Sequence, residues 1–123
     1  MSKPVTYRFS FGPWNISEGG DPFGPDVRAA FPHDRKFALY KKLGFDGVQF
    51  HDDDVVPGLD DLKPAQIAAR AKEVKKMLRD EGLTPEFVAP RLWFAHQTID
   101  GAYTSNRAAD RKYAWDRTRK CID

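Results

Sequence analysis

The sequence has little cysteine, no long apolar run and almost no excess of charge. Cys121 is the only cysteine among 123 residues, so the chain cannot form an internal disulfide, and a reducing cytoplasm is the expected compartment. No stretch approaches the roughly 20 apolar residues that cross a bilayer, so no membrane partner is expected. The chain has 20 Lys and Arg against 18 Asp and Glu. This balance gives no strong field to attract nucleic acid or anionic lipid.

The sequence does contain three successive strand patterns, each followed by a helix pattern. Strand patterns, rich in aromatic and β-branched residues, lie at 7–11, 47–50 and 86–89. Helix patterns lie at 34–43, 64–81 and 106–122. The order βαβαβα predicts an α/β fold with parallel strands and right-handed helical crossovers. A doubly wound sheet can be built from such units, but its usual Gly-rich phosphate turn after the first strand is missing.

The middle helix pattern has the clearest face and the clearest ends. Its apolar stripe, which predicts packing on a sheet, consists of Ile67, Ala71, Val74 and Leu78. We expect Asp60 and Asp61 to accept hydrogen bonds from the free amides at its start. We expect Pro64 in its first turn and Gly82 in the left-handed conformation that ends it.

The last helix pattern continues an apolar face to within one residue of Asp123, with no Gly or Pro stop. A complete (β/α)8 barrel takes about 250 residues. We therefore expect residues 1–123 to be the first three βα units of a TIM barrel, truncated in the third helix and incomplete without further polypeptide. Its open sheet edges would need partners.

The polar residues most suggestive of chemistry are Gln49-Phe50-His51-Asp52-Asp53-Asp54. They fall at the carboxyl end of the second strand, where α/β active sites gather. Asp54 can reach His51 only if the chain turns, and a carboxylate on one ring nitrogen leaves the other to exchange a proton with a sugar. Two other interpretations stay open. The Asp residues cap the turn after a strand that ends at His51, or the four residues from His51 to Asp54 form a metal site.

Several segments resemble the xylose isomerases, in the same order as in that family. Phe50 to Asp54 resembles the motif after the second strand, where the His meets the sugar. Phe11-Gly12-Pro13-Trp14 resembles the end of the first strand, and Gly20 to Gly24 resembles the loop that follows it. Ala89 to Phe94 resembles the exit of the third strand, where an aromatic packs on the apolar edge of the sugar. The resemblance covers nearly the whole chain.

The resemblance implies roles for individual residues. His51 and Asp54 would be catalytic. Trp14 and Trp93 would bind the substrate, with Phe94 as the alternative to Trp93. Where some family members carry hydroxyl residues, this chain has Ala89-Pro90, so a polar sugar contact is not expected there.

The resemblance also implies an activity, a cofactor and partners. The family interconverts D-xylose and D-xylulose by moving a hydride from C2 to C1 while two divalent metal ions (Mg, Mn or Co) polarise the sugar oxygens. The family's metal ligands follow the matched region, so we expect no metal ligand in this chain and no activity of the isolated chain. Phe23 would reach into a neighbouring subunit, which implies a homo-oligomer, a tetramer in the family. The other partners would be a small sugar and the remainder of the barrel, in the same or another chain.

Two other classes of function are weighed against the isomerase. Trp14, His51 and Trp93 could bind a sugar without converting it, as in a non-catalytic carbohydrate-binding fragment. The open sheet edges and the Phe23 loop could instead serve assembly alone, as in an assembly fragment. A nucleic-acid partner is not expected, because Asp110 and Asp116 interrupt the basic face of the last helix, and such faces are usually solvated or paired along the helix. That face carries Arg107, Arg111, Lys112, Arg117, Arg119 and Lys120.

Overall fold

Strands and helices alternate along the chain in a computed structural model that describes residues 5–16, 25 and 27–122. The strands are β1 (Ser10–Phe11), β2 (Gly47–His51) and β3 (Thr84–Ala89). The helices are α1 (His33–Lys42), α2 (Asp52–Val55), α3 (Pro64–Asp80) and α4 (Ala108–Ile122). Short 3-10 helices lie at Pro13–Asn15, Leu59–Asp61, His96–Thr98 and Ala102–Thr104.

The three strands form one small sheet in the order β1-β2-β3. Strand β1 pairs in parallel with β2, with Ser10 opposite Gly47 and Phe11 opposite Val48. This confirms the predicted α/β class and the predicted order of the main strands and helices. Strand β1 begins at Ser10 and not at residue 7 as predicted. Tyr7 and Phe9 are 73% and 61% exposed, and before Ser10 the Phe9 carbonyl accepts from the Asp46 and Gly47 amides at 2.8 and 3.1 Å.

The chain divides into two compact units. The first comprises Met1–Gln49 and Val74–Phe87, and the second comprises Phe50–Glu73 and Val88–Asp123. Strands β2 and β3 and helix α3 each contribute residues to both units. In the part of the chain described above, no helix is long and apolar enough to cross a membrane.

Aromatic and aliphatic side chains form the core of the first unit. Phe37, Tyr40 and Val48 are fully buried, and the ring centroids of Phe11 and Tyr40 lie 5.1 Å apart in an edge-to-face contact. The Tyr40 hydroxyl donates to the Gly12 carbonyl (3.3 Å). These contacts join α1 to the residues that follow β1.

The segment that contains Trp14 is also held by α1. Lys36 on α1 is buried, and its Nζ donates to the Pro13 carbonyl at 3.1 Å. The Trp14 indole folds over Gly12, where an added Cβ would lie 2.2 Å from the ring. Because real Cβ contacts are never that short, the position of the Trp14 ring requires glycine at residue 12.

Helix α3 begins and ends as predicted, but its first amides are satisfied differently. Pro64 is its first residue, and Gly82 has the predicted positive φ of 66°. The predicted capping by Asp60 is wrong: Asp60 accepts from Tyr113 and Arg117, while the Lys63 N–H donates to the Gln66 side chain at 3.0 Å. The sequence pattern could not distinguish these acceptors, because the competing donors come from a helix about 50 residues later.

Candidate functional site

The chain turns immediately after β2, and this turn brings Asp54 back to His51. His51 ends the strand with extended backbone (φ −89°, ψ 159°), and α2 starts at the next residue. The His51 backbone N–H donates to Asp54 Oδ2 at 2.8 Å, and the same oxygen lies 3.3 Å from His51 Nδ1. Asp54 therefore caps the first turn of α2, as the turn-capping interpretation predicted. It also lies beside the imidazole, as the acid–base interpretation predicted.

Trp93 forms a wall next to this pair. The ring centroids of His51 and Trp93 lie 4.8 Å apart, with the planes at 85°, the edge-to-face geometry that aromatic quadrupoles favour. The His51 side chain is 15% exposed, whereas Trp93 is 50% exposed. Phe94 is 54% exposed, and its ring centroid lies 6.1 Å from that of Trp93. The site thus combines a shielded imidazole with two aromatic side chains open to solvent.

Arg91 connects the carboxylates of α2 to the aromatic wall. Its Nε donates to Asp53 Oδ1 at 2.7 Å, and its Nη2 donates to Asp54 Oδ1 at 2.9 Å. Its Cζ lies 5.4 Å from the Trp93 ring centroid and 5.3 Å from that of Phe94, within the range of cation–π attraction. Nothing in the sequence pattern assigned Arg91 a role. The available signal was its position: Arg91 lies just after the third predicted strand, as the three Asp residues lie just after the second.

Asp52 and Arg117 form a buried ion pair in the same unit. Arg117 Nε and Nη2 donate to the two oxygens of Asp52 at 2.7 and 2.9 Å, and the two residues are 3% and 8% exposed. Burial opposes ionisation of Asp52, but the bonds from Arg117 and from the Arg91 backbone N–H outweigh it, so the pKa of Asp52 is lowered. Burial acts against the charge of Arg117 as well, yet its bond to Asp52 raises its pKa.

The interpretation of the basic face of α4 as solvated or paired along the helix is wrong for Arg117. Its main partner, Asp52, lies 65 positions away in the sequence. Lys120 also turns inward and donates to the Asp60 carbonyl at 2.9 Å. Arg107, Arg111 and Lys112 also bond to groups between residues 105 and 116, so five of the six basic side chains make contacts within the protein.

The carboxylates after β2 are held by arginines. Both oxygens of Asp52 accept from Arg117, and Asp53 and Asp54 each accept from Arg91. Within 5–16, 25 and 27–122, no group of three or more His, Cys, Asp or Glu residues is arranged to hold a metal ion. The residues present do not fit a metal centre at this motif, and the metal-site interpretation of the motif gains no support.

The structure brings together three of the five residues predicted for the site. His51, Asp54 and Trp93 are neighbours in the second unit. Trp14 belongs to the first unit, where it lies half-buried in the 3-10 helix Pro13–Asn15. Phe23 lies outside the described residues. No protein-family model matches the sequence, so the roles of these residues remain predictions.

Proposed function

We propose that this chain provides the first three βα units and the sugar-facing residues of a metal-dependent aldose–ketose isomerase that interconverts D-xylose and D-xylulose. The observation that carries the proposal is the placement of His51. Its Nδ1 lies 3.3 Å from Asp54, and its ring lies edge-on to Trp93 at 4.8 Å. An imidazole beside a carboxylate can perform the proton transfer of sugar ring opening, and an exposed aromatic beside the imidazole can bind the sugar. The resemblance to the xylose isomerases supports the same assignment.

The chemistry assigned to His51 is a proton transfer. Opening a cyclic aldose moves one proton from the anomeric hydroxyl to the ring oxygen, so an imidazole that takes and returns one proton completes the step without net change. The negative charge of Asp54, 3.3 Å from Nδ1, stabilises the imidazolium that forms when the ring takes up a proton. The Nε2 atom is the base that faces the sugar, and it becomes the acid for the second half of the step.

Trp93 supplies the apolar wall of the proposed pocket. One face of a pyranose presents C–H groups, and an indole buries such a face with little loss of conformational freedom. Half of the Trp93 surface is open, so a ligand can reach the ring without rearrangement of the chain. Phe94, at a similar exposure, extends the same wall. Trp14 and Phe23 keep the roles that the resemblance implies, which are substrate binding for Trp14 and contact with a neighbouring subunit of a homo-oligomer for Phe23.

The hydride shift from C2 to C1 is assigned to machinery outside the described residues. Two divalent ions (Mg, Mn or Co) would polarise the sugar oxygens when bound. The carboxylates of the motif are held by Arg91 and Arg117, so the metal ligands are proposed to come from further βα units in the same or another chain. The isolated chain is therefore proposed to be inactive.

The test joins residues 1–123 to the five remaining βα units of a xylose isomerase, hereafter the joined protein. We expect the joined protein to convert D-xylose to D-xylulose with Mg²⁺, and residues 1–123 alone to show no turnover. His51→Asn in the joined protein should lower kcat about 10²–10⁴-fold, the usual contribution of a general acid–base group. The exposed residue Arg70 on α3 provides the control variant Arg70→Gln, which should leave turnover unchanged.

Two results would count against the proposed function. One is a joined protein that is folded, as judged by circular dichroism and a cooperative thermal transition, but does not convert xylose. The other is full turnover in the His51→Asn variant. Saturable binding of xylitol by monomeric residues 1–123, without turnover in the joined protein, would instead favour the carbohydrate-binding alternative, for which the exposed pair Trp93 and Phe94 is the supporting observation.

A further inference from the structure

We infer that Arg91 is a positioning residue, which fixes both the orientation of the His51–Asp54 pair and the placement of the Trp93 wall. The expected effect of Arg91 on catalysis rests on the proposed function. The claim that Arg91 orients these side chains does not. Arg91 is the one described side chain that contacts Asp54, Asp53, Trp93 and Phe94 together. Its side chain is only 11% exposed, so these contacts are shielded from competing water.

Asp54 divides its two oxygens between two partners. Oδ1 accepts from Arg91 Nη2 at 2.9 Å, while Oδ2 accepts from the His51 backbone N–H and lies beside Nδ1. A carboxylate held at one oxygen cannot rotate without breaking that bond. Arg91 therefore keeps Oδ2 directed at the imidazole, and charge assistance makes the restraint stronger than a neutral hydrogen bond.

Asp53 provides the second anchor for the same guanidinium. Its Oδ1 accepts from Arg91 Nε at 2.7 Å, so Arg91 is attached at two points of its planar group. Two attachments fix the plane as well as the position. The Cζ atom at its centre then lies 5.4 Å from the Trp93 ring centroid. A change at Arg91 is therefore transmitted to the aromatic wall and to the acid–base pair at once.

The contacts require the shape of arginine and not only its charge. A lysine ammonium is a compact point charge, which cannot reach two carboxylates in fixed directions and also offer a flat face to an indole. Arg91→Lys keeps the charge and removes the geometry. Arg91→Gln removes both. We therefore expect kcat of the joined protein to be lower than that of the wild type in Arg91→Lys and lowest in Arg91→Gln.

The first measurement uses steady-state kinetics of the joined protein. A displacement of about 1 Å in a reacting group costs about 10²-fold in rate. We therefore expect kcat to fall about 10²-fold in Arg91→Gln and less in Arg91→Lys, with KM rising by a smaller factor than kcat falls. Arg70→Gln, which also removes one arginine charge, should match the wild type. A positioning role lowers kcat in this graded way, whereas loss of stability alone lowers the active fraction and leaves KM unchanged.

The second measurement uses residues 1–123 alone and does not depend on turnover. The ¹⁵N signals of the His51 ring report its tautomer, and the indole N–H signal of Trp93 reports the wall; both are assigned through His51→Asn and Trp93→Phe. In Arg91→Gln we expect the His51 signals to average between tautomers and the Trp93 signal to shift. Arg70→Gln should leave both signals in place.

The outcomes separate the inference from the proposed function. Unchanged His51 and Trp93 signals in both Arg91 variants would overturn the inference, as would wild-type kcat and KM in an active joined protein. An inactive wild-type joined protein would end the proposed function, while the spectra of residues 1–123 would still decide the role of Arg91. If Arg91→Gln does not fold by circular dichroism, the comparison is made with Arg91→Lys, which keeps the charge between the two carboxylates.

Discussion

The Oδ2 atom of Asp54 lies 2.8 Å from the backbone nitrogen of His51 and 3.3 Å from its Nδ1 atom. One carboxylate thus stabilises the first turn of α2 and faces the imidazole. These two roles can be separated in part, because an asparagine keeps an oxygen that accepts from the His51 backbone N–H but loses the negative charge and the bond from Arg91 Nη2. An alanine loses the oxygen as well.

We predict different profiles for the two substitutions of Asp54. Asp54→Asn should lower kcat of the joined protein about 10²-fold or more, since the imidazolium that forms during proton transfer loses its counter-charge. Its free energy of unfolding should fall less than that of Asp54→Ala, because it loses the bond from Arg91 but keeps the one from the His51 backbone N–H. Asp54→Ala should lower kcat as much and also cost about 0.5–2 kcal/mol of stability, the usual effect of removing a helix cap. Kinetics and urea unfolding measure the two effects; full activity in Asp54→Asn would refute the role assigned to the carboxylate.

Trp93 and Trp115 provide a matched pair for testing the aromatic wall. Trp93 is 50% exposed beside His51, and Trp115 is 56% exposed on α4, where it contacts Tyr103. Trp93→Ala should weaken xylitol binding by the joined protein about tenfold or more, equivalent to about 1.4 kcal/mol, while Trp93→Phe should retain most of the affinity because a flat apolar face remains. Calorimetric titration gives the dissociation constants. Trp115→Ala should bind xylitol as tightly as the wild type does. An equal loss of affinity in both alanine variants would show that Trp93 does not line the sugar site.

The elements of this fold could be predicted from the sequence because each is encoded locally. The apolar stripe of α3, its Pro64 start and its Gly82 end all lie within one segment, and the structure confirms its bounds to within one residue. The return of Asp54 to His51 was predictable in the same way, since it needs only a turn after the strand. Both relationships involve residues close together in the chain.

The arginines of the site could not be predicted, because their partners are distant in the sequence. Arg91 meets Asp54 across 37 positions and Arg117 meets Asp52 across 65. A run of three aspartates indicates caps, a metal or a charged turn, and nothing local tells which cation approaches it. The interpretation of Arg117 as part of a face that is solvated or paired along the helix was wrong for this reason: helical periodicity identifies a face, and the fold decides what covers it.

The Asp52–Arg117 pair should be costly to break. Both partners are buried, at 3% and 8% exposure, so removing Arg117 leaves Asp52 buried without a countercharge, bonded to the backbone N–H groups of Arg91 and Asp53. We predict that Arg117→Gln lowers the free energy of unfolding by about 3–5 kcal/mol, whereas replacing both residues by leucine recovers much of the loss. Urea unfolding followed by circular dichroism measures each variant. An Arg117→Gln protein within about 1 kcal/mol of the wild type would show that the pair contributes little.

The same pair sets part of the acid sensitivity of the protein. The pKa of Asp52 is lower in the folded chain than its ordinary value of 3.8, so the unfolded chain binds the proton first. Its contribution is therefore complete above about pH 4 and is lost as the pH falls toward the folded value. The slope of unfolding free energy against pH below 4 should be shallower in Arg117→Gln than in the wild type. Exposed Glu86 and Asp116, whose pKa values are also lowered, contribute equally to both proteins and cancel in the comparison.

Cys121 should react slowly while the protein is folded. It lines an apolar groove of about 490 Å³ in the second unit together with Ile67, Ala71 and Val88, and burial, aided by the charge of Asp52, raises its pKa to about 11. At pH 8 about 10⁻³ of the folded thiol is ionised, against about 10⁻¹ at the ordinary value of 9.0. Because the thiolate is the nucleophile, alkylation by iodoacetamide should be about 100-fold slower than in urea-unfolded protein. Mass spectrometry over time gives both rates. Equal rates would contradict the prediction, because the thiol would then be as accessible and as ionised in the folded protein as in the unfolded one. Widening the groove with Ile67→Ala should accelerate the folded reaction.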